Sequence, residues 1–200
     1  TDVELGDVNG DGHLDALVAM IETDTLPDVG RVELWYGSED GTYTGPQQTI
    51  AGACWDVVLG YLNGDGHLDA FVPLNESNPD QIWLNDGSGT LVATAQDLTI
   101  RNPRHASLGD IDADGDLDLA VSDSQKGVFI YTNDGDGTLT LAQEVTDWHD
   151  GDMAHFGDFD HDGDLDILYC YGGYGRVLAN DGTGTFTAGS GFGAGSGVED

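Results

Sequence analysis

The sequence predicts an all-β protein, a β-propeller of four-stranded antiparallel blades, with four blades in this chain of 200 residues. Four Asp-rich segments recur at intervals of 54, 49 and 48 residues, starting at Gly6, Gly60, Gly109 and Gly157. A short apolar, partly β-branched run follows each segment, and a second recurring motif comes after it at a similar distance. A repeat of about 40–50 residues with four antiparallel strands is typical of a propeller blade.

Each repeat contains four predicted strands. Strand A leads into the Asp-rich segment and strand B leaves it, as in GDVNGDGHLDALVA and GDIDADGDLDLAVS. Strand C ends at a segment such as LNDGSGT, and strand D follows. Because Gly and Asn adopt positive φ at low steric cost, these segments predict hairpin turns. The predicted blades of a single domain spanning 1–200 are 1–50, 51–99, 100–147 and 148–190, and 191–200 is predicted to be an inter-blade connection or the start of a further blade.

The Asp-rich segments follow the pattern Asp-x-Asp/Asn-x-Asp-Gly-x-x-Asp, which predicts calcium sites. Hard Ca²⁺ takes about six to eight oxygen ligands, and glycine permits a sharp turn between them. In blade 2, Tyr61 replaces the first Asp, so this site is predicted to be weaker than the other three or empty. The predicted ligands, with the residue at position 7 contributing its carbonyl, are Asp7, Asn9, Asp11, His13 and Asp15; Asn63, Asp65, His67 and Asp69; Asp110, Asp112, Asp114, Asp116 and Asp118; and Asp158, Asp160, Asp162, Asp164 and Asp166.

The spacing argues against a helical calcium loop. An EF-hand needs an acidic ligand at position 12 and a helix after the loop. Position 12 is Val18, Val121 or Tyr169 in blades 1, 3 and 4, and strand-like sequence follows. The expected role of the metal is structural, because it would join strand A to strand B and neutralise repulsion between the carboxylates.

These loops, together with the Asn-Asp-Gly-x-Gly-Thr hairpins, resemble the FG-GAP and VCBS repeats. Such repeats form the calcium-bearing propeller of integrin α subunits and of some fungal lectins and bacterial secreted proteins. The resemblance covers nearly the whole chain. It implies a propeller, extracellular calcium and a recognition or adhesion role, and it names no ligand because one fold hosts many functions.

The charge is strongly acidic. The chain has 38 Asp and Glu against 5 Lys and Arg, a formal net charge of -33. Such a surface repels nucleic acid and anionic lipid, which excludes both as expected partners. The acidity has two interpretations, metal binding and adaptation to high salt. No apolar run is long enough to span a membrane, and the two cysteines, Cys54 and Cys170, cannot form a disulfide framework.

Strand parity predicts where a ligand would bind. In an antiparallel blade the A–B loop and the C–D hairpin share one end, and the B–C loops and D–A connections lie at the other. All five basic residues are predicted to lie at the end away from calcium: Arg31, Arg101, Arg104, Lys126 and Arg176. The candidate ligand-binding residues at that end are irregular ring-bearing and basic residues on loops. They are Trp55, Arg104, His105, Trp148 and His149 in the D–A connections, and Tyr171 and Tyr174 in the fourth B–C loop. The alternative is that these rings fill gaps at the blade ends.

The expected function is that of a non-catalytic, calcium-stabilised extracellular module that binds a glycan or protein. Two alternatives stay open: a purely structural propeller, and an accessory domain of a secreted polysaccharide-active enzyme. No Ser–His–Asp or Cys–His arrangement can be argued from the sequence. The four blades could form a closed ring, pair with a second chain to complete a larger propeller, or form an arc. The arc is disfavoured because open strand edges aggregate.

Overall fold

The computed structural model describes residues 2–22, 29–74, 81–98, 100–146 and 151–193, and these residues form strands and turns without a helix. The described part therefore contains no helix that could cross a membrane. The sixteen strands are β1 (Asp2–Gly6), β2 (Asp15–Glu22), β3 (Val29–Gly37), β4 (Tyr43–Ala51), β5 (Val58–Gly60), β6 (Asp69–Val72), β7 (Gln81–Asn85), β8 (Leu91–Ala93), β9 (Pro103–Gly109), β10 (Asp118–Asp123), β11 (Gly127–Asn133), β12 (Leu139–Val145), β13 (Gly151–Gly157), β14 (Asp166–Tyr171), β15 (Tyr174–Asn180) and β16 (Phe186–Gly193).

The strands form four separate antiparallel sheets of four strands each, in the orders β1-β2-β3-β4, β5-β6-β7-β8, β9-β10-β11-β12 and β13-β14-β15-β16. This confirms the predicted all-β fold and the four blades, each with strands A to D in sequence order. Within each blade the Asp-rich loop joins strands A and B, and the Gly-rich hairpin joins strands C and D. The antiparallel order places these two connections at the same end of the blade, as predicted.

By their contacts the four blades divide into two compact units. Residues 1–103 with 135–138 form one unit, and residues 104–134 with 139–200 form the other. The core of the first unit is shared by blades 1 and 2, with Leu17 and Val32 packed together with Val57 and Val72. The core of the second is shared by blades 3 and 4 and includes Ile130. Within each unit, therefore, two blades pack face to face.

Strand burial follows the position of each strand in its blade. The B strands β6 (DAFV) and β10 (DLAVSD) are buried along their whole length, which explains their nearly continuous apolar sequences. Phe71 on β6 is completely buried, and such burial contributes about 1.5–3 kcal/mol. The D strand β4 is mostly exposed and carries Thr, Gln and Pro. An exposed outer strand with polar residues and proline offers a poor template for pairing with other chains.

Two glutamines connect neighbouring blades within a unit. The Gln48 side chain in strand D of blade 1 donates to the Leu91 carbonyl oxygen (2.7 Å) and accepts from the Leu91 backbone N–H (3.0 Å) in blade 2. Gln143 in blade 3 makes the same pair of bonds to Phe186 in blade 4 (2.8 and 2.9 Å). Each amide therefore pairs with a backbone peptide of the next blade much as a neighbouring strand would.

Four residues occupy one repeated register position on strand C, opposite the residue that follows the last loop Asp: Trp35, Trp83, Tyr131 and Leu178. Tyr131 and Leu178 are buried, whereas Trp35 and Trp83 are half-buried. The indole N–H of Trp35 donates to the Glu33 carboxylate (3.0 Å), so this ring packs beside a polar group.

Among the described residues both cysteines are free thiols, and Cys54 is buried in the first core.

Candidate metal centre and ligand face

Each Asp-rich loop turns through a left-handed residue at its fourth position. Gly10 and Gly64 have φ of 75° and 69° there, and blades 3 and 4 place Ala113 (62°) and His161 (67°) at the same position. Non-glycine residues rarely adopt this conformation. The same positive φ recurs at this position in all four loops, with or without glycine. The Asp and Asn side chains of the loop therefore help to impose the turn.

The first Asp of the loop holds the turn through its side chain. The Asp7 carboxylate accepts hydrogen bonds from the backbone N–H groups of Asp11 (3.0 Å) and Gly12 (2.8 Å). Asp110 in blade 3 accepts the same two bonds, from residues 114 and 115. In blade 2, Tyr61 stands at this position, carries no carboxylate, and is 54% exposed. The loop of blade 2 therefore has one carboxylate fewer than the otherwise similar loop of blade 1.

The fifth and seventh positions are coupled in all four loops. The fifth-position Asp accepts from the backbone N–H of the seventh residue, a predicted carbonyl ligand, at distances of 2.8–3.0 Å: Asp11 from His13, Asp65 from His67, Asp114 from Asp116 and Asp162 from Asp164. In blade 2 this bond lowers the pKa of Asp65, because it favours the charged carboxylate.

The last Asp of the loop, at position nine, is fully buried in every blade and joins three segments: Asp15, Asp69, Asp118 and Asp166. One of its oxygens accepts from the backbone N–H of the second loop residue, at 2.9–3.0 Å. The other accepts from the N–H of the last residue of strand C, at 2.8–2.9 Å. The Asp-rich pattern predicted this Asp only as a metal ligand, whereas in the structure it also joins strand C to the loop.

The Asn that opens the hairpin connects one blade to the loop of the preceding blade. Asn85 donates from its side-chain amide to the carbonyl oxygens of Val8 (2.8 Å) and Leu68 (3.1 Å), and its own oxygen accepts from the N–H groups of Gly87 (3.0 Å) and Gly89 (3.1 Å). The partner Val8 lies in the Asp-rich loop of blade 1.

Asn180 repeats this arrangement between blades 4 and 3, donating to Ile111 (2.7 Å) and Leu165 (3.1 Å). The hairpin motif predicted only a turn, and this connection between blades was not predicted. The signal available in the sequence was the recurrence of Asn in three of the four repeats.

Two acidic clusters have the geometry to hold a metal ion. Carboxylate oxygens of Asp110, Asp112 and Asp114 lie within 4.8 Å of one another, and the same holds for Asp158, Asp160 and Asp166. Both clusters consist of predicted ligands. Hard carboxylate oxygens converging in this way suit Ca²⁺ or Mg²⁺ rather than a soft metal.

The pKa values in blade 3 reflect the crowding of negative charge. Burial, followed by repulsion from Asp114 and Asp110, raises the pKa of Asp112 above its usual value. Burial also raises the pKa of Asp118 to about 6, against the opposing effect of the backbone N–H groups that it accepts from. A bound cation would reverse both effects by favouring the charged carboxylates.

The structure brings the predicted pair Tyr171 and Tyr174 together and adds a third ring. Tyr169, Tyr171 and Tyr174 stack in order, with ring centroids 5.6 Å apart at each step and interplanar angles of 27° and 23°. Tyr171 lies between two rings, and Tyr169 is completely buried. Half-buried Tyr174 ends the stack. The prediction placed both candidates in the B–C loop; they instead end β14 and begin β15, on either side of a two-glycine turn.

The remaining ligand candidates do not join the tyrosine stack. Arg104 and His105 were expected in the D–A connection, and this was wrong: they are the second and third residues of β9, because the strand begins at Pro103. The His105 ring contacts His155 edge to face, with centroids 4.1 Å apart. The half-buried Trp55 lies in the connection between β4 and β5. Trp148 and His149 lie outside the described residues.

Comparison with known proteins identifies the repeats. The sequence matches the FG-GAP-like repeat over residues 7–72, 61–121 and 110–169, each match running from one Asp-rich loop through strand B of the next blade. The chain belongs to the FG-GAP-like repeat family. This confirms the resemblance inferred from the loops and hairpins. No curated protein matched the FG-GAP chain.

A solved lectin structure supports the fold. An Agrocybe aegerita lectin, described as specifically recognising non-reducing terminal N-acetylglucosamine, aligns with a TM-score of 0.57 at 22% identity, over 94% of the FG-GAP chain and 50% of the lectin chain. The chain thus spans about half the length of that lectin. The Photorhabdus luminescens Tc holotoxin pore aligns with a TM-score of 0.46 at 18% identity, over 98% of this chain and 10% of that one. At these identities the likeness to the lectin concerns the fold alone.

Proposed function

We propose that the chain is a non-catalytic, calcium-stabilised extracellular recognition module that binds glycans through the end of its blades away from the Asp-rich loops. Membership of the FG-GAP-like family and the lectin-like fold support a recognition role. The tyrosine stack at the β14–β15 turn is the observation that carries the glycan assignment.

Calcium is the proposed metal. The predicted ligands are oxygens, and two of the clusters converge within 4.8 Å. Asp7, Asp110 and Asp158 would supply the first ligand in blades 1, 3 and 4, and blade 2 lacks it at Tyr61. Bound Ca²⁺ would supply positive charge to these loops and no reactive group. Extracellular calcium concentrations suit modest-affinity structural sites, which favours a secreted or cell-surface location.

Tyr174 is the proposed ring for sugar binding. It ends the stack, so one of its faces is not taken up by Tyr171, and the Tyr171 and Tyr169 rings support it from the other side. The apolar face of a pyranose packs well against such a ring, because an aromatic side chain contributes a large contact area and has few rotatable bonds. Since the Asp-rich loops lie at the opposite end of each blade, calcium would support this surface without contacting the sugar.

A glycan array in the presence of calcium tests the proposal, followed by titration calorimetry with the best binder and with an N-acetylglucosamine-terminated oligosaccharide. Tyr174→Ala is expected to weaken binding at least about tenfold, equivalent to about 1.4 kcal/mol. Tyr174→Phe keeps the ring and should bind within about twofold of the wild type. Tyr43→Ala removes a 45% exposed tyrosine at the loop end of blade 1 and serves as the matched control.

Two results would count against this function. If no glycan binds the calcium-loaded protein, the chain is better described as a structural propeller. If glycans bind but Tyr174→Ala and Tyr43→Ala behave alike, recognition occurs elsewhere on the molecule and the tyrosine stack is part of the packing.

A further inference from the structure

The hairpin between strands C and D of blade 4 lies between two Asp-rich loops, its own loop and that of blade 3. The position of a Cβ on Gly184 is 3.4 Å from side-chain atoms of Ile111 and 3.6 Å from the Cβ of Asp112, both in the loop of blade 3. The position of a Cβ on Gly182 is 2.6 Å from a carboxylate oxygen of Asp164, in the loop of blade 4. Asp112 and Asp164 are predicted calcium ligands, so one hairpin packs against a ligand residue of each loop.

Asn180 opens this hairpin, is 5% exposed, and joins the two loops by hydrogen bonds. Its side-chain amide donates to the carbonyl oxygen of Ile111 in the loop of blade 3 and to that of Leu165 in the loop of blade 4. Its side-chain oxygen accepts from the N–H groups of Gly182 (3.2 Å) and Gly184 (3.1 Å). One buried side chain therefore fixes the hairpin to both loops.

On the blade 3 side, the partner of Asn180 is surrounded by predicted ligands. Ile111 lies between Asp110 and Asp112 in sequence, and its carbonyl belongs to the peptide that joins it to Asp112. Its backbone N–H donates to a carboxylate oxygen of Asp118, the last ligand of the loop (2.9 Å). A shift of Asp112 would therefore move the oxygen to which Asn180 donates.

On the blade 4 side, the last ligand of the loop holds Asn180 directly. The backbone N–H of Asn180 donates to the Asp166 carboxylate (2.9 Å). Its side-chain acceptor Leu165 immediately precedes Asp166 in sequence. Through Ile111 and Asn180, a continuous series of hydrogen bonds thus connects the last ligand of one loop to the last ligand of the other.

Blades 1 and 2 repeat this connection. Asn85 donates to Val8 in the first loop, and its backbone N–H donates to Asp69, the last ligand of the second loop (2.8 Å). The position of a Cβ on Gly89 is 2.9 Å from the Cβ of Asn9, a predicted ligand of blade 1. The same contacts recur in both units, so the connection between loops is a property of the repeat.

Ordering of a loop would accompany calcium binding. In the loops of blades 3 and 4, carboxylate oxygens of three predicted ligands lie within 4.8 Å of one another. Like charges at this separation repel each other, and a bound cation offsets that repulsion. Because Asn180 is bonded to both loops, ordering one loop also fixes the hairpin against which the other loop packs. The second loop then needs less further ordering when it binds its own ion.

We propose that the loops of blades 3 and 4 bind calcium cooperatively, and that Asn180 is the positioning residue that couples them. The inference rests on the calcium sites of the proposed function and extends them from separate sites to a coupled pair. Coupling of this kind is reciprocal, so an ion in either loop raises the affinity of the other loop by the same factor. A factor of at least about five is expected, the lower end of typical couplings between sites.

The test reads each loop separately by nuclear magnetic resonance of protein labelled at glycine, titrated with calcium. Gly115 and Gly163 occupy the sixth position of the loops in blades 3 and 4 and report on their own loops. Asp160→Ala removes a ligand of blade 4 and should weaken calcium binding at Gly115 at least about fivefold. The reciprocal change, Asp112→Ala read at Gly163, should give the same factor.

The role of Asn180 is tested by repeating the measurement in its absence. In an Asn180→Ala background, Asp160→Ala should change binding at Gly115 by less than about twofold, as for independent sites. Asp181→Ala is the matched control in the same hairpin, because its exposed carboxylate accepts only from Thr183 in its side-chain bonds (3.0 and 2.6 Å) and the bonds of Asn180 remain. The full effect of Asp160→Ala should persist in that background.

Independent titration of the two loops, with Asp160→Ala leaving Gly115 unaffected, would overturn the proposal, and this comparison needs no change at Asn180. A fivefold effect that persists in Asn180→Ala would also overturn it, because a merely structural asparagine would weaken both loops and leave their coupling intact. A protein that binds no calcium at either loop would contradict the proposed metal as well as the coupling. Circular dichroism and the melting temperature in calcium establish that each variant is folded.

Discussion

Replacing Asn85 by alanine tests whether the hairpin asparagine holds two blades together. Asn85 is 3% exposed and makes four side-chain hydrogen bonds, two donated to carbonyl oxygens and two accepted from glycine N–H groups. A typical hydrogen bond contributes about 1 kcal/mol net, so four amount to about 4 kcal/mol. Water can reach the less buried partners, which lowers the expected loss in the free energy of unfolding to about 2–4 kcal/mol.

Urea denaturation in the presence of calcium measures this loss. Asp86→Ala is the matched control, because the neighbouring Asp86 carboxylate accepts two exposed bonds from Ser88 (2.9 and 2.6 Å), which water can replace. The control should lose less than about 1 kcal/mol. A loss below about 1 kcal/mol for Asn85→Ala, or equal losses for the two variants, would refute the inference that this amide stabilises the contact between blades.

Three further predictions concern contacts and groups elsewhere in the chain. Gln48→Ala should cost about 1–3 kcal/mol by urea denaturation, because it removes both bonds to a peptide of blade 2, whereas the exposed Gln47→Ala should cost less than about 0.5 kcal/mol. Burial raises the pKa of Cys54 to about 12, so in the native protein this thiol should resist iodoacetamide at mildly alkaline pH while the half-buried Cys170 reacts; modification of both at equal rates would contradict this. Gly37→Ala should destabilise by about 1–3 kcal/mol, because its Cβ would overlap the carbonyl oxygen of Leu14 in the Asp-rich loop of the same blade, and a variant as stable as the wild type would contradict that geometry.

The four-bladed fold could be predicted because its signals are local. An Asp-rich turn, a short apolar strand and a Gly-rich hairpin each depend on residues close together in sequence, and their fixed order recurs four times. The predicted metal ligands follow from the same spacing, and the structure gathers Asp110, Asp112 and Asp114 as expected.

Contacts between repeats could not be predicted in this way. The Asn85 amide meets the Val8 carbonyl oxygen across 77 residues, and nothing in the hairpin motif indicates that partner. The burial of the ninth-position Asp was missed for a related reason, since Asp15 pairs with Gly37 only after strands B and C have formed. Tyr169 was considered only as the residue at position 12 of the blade 4 loop, yet its buried ring supports the tyrosine stack from inside the core.

The placement of ligand candidates depended on strand boundaries. The prediction put Arg104 and His105 in a connection, but their strand begins one residue earlier, at Pro103. Sequence patterns locate the ends of strands less well than their centres, because end residues lack the full set of neighbours that enforces alternation. The contact of His105 with His155 of the next blade could not be foreseen from either strand alone.

Calcium stoichiometry is the most direct measurement of the central claim that these loops are metal-stabilised FG-GAP repeats. Metal analysis of protein equilibrated with enough free calcium to fill the three complete loops should find three bound ions per chain, and Tyr61→Asp should raise the number to four by completing the loop of blade 2. Addition of EGTA should lower the melting temperature of both proteins substantially. Protein that binds no calcium, or that melts at the same temperature with and without EGTA, would contradict the account.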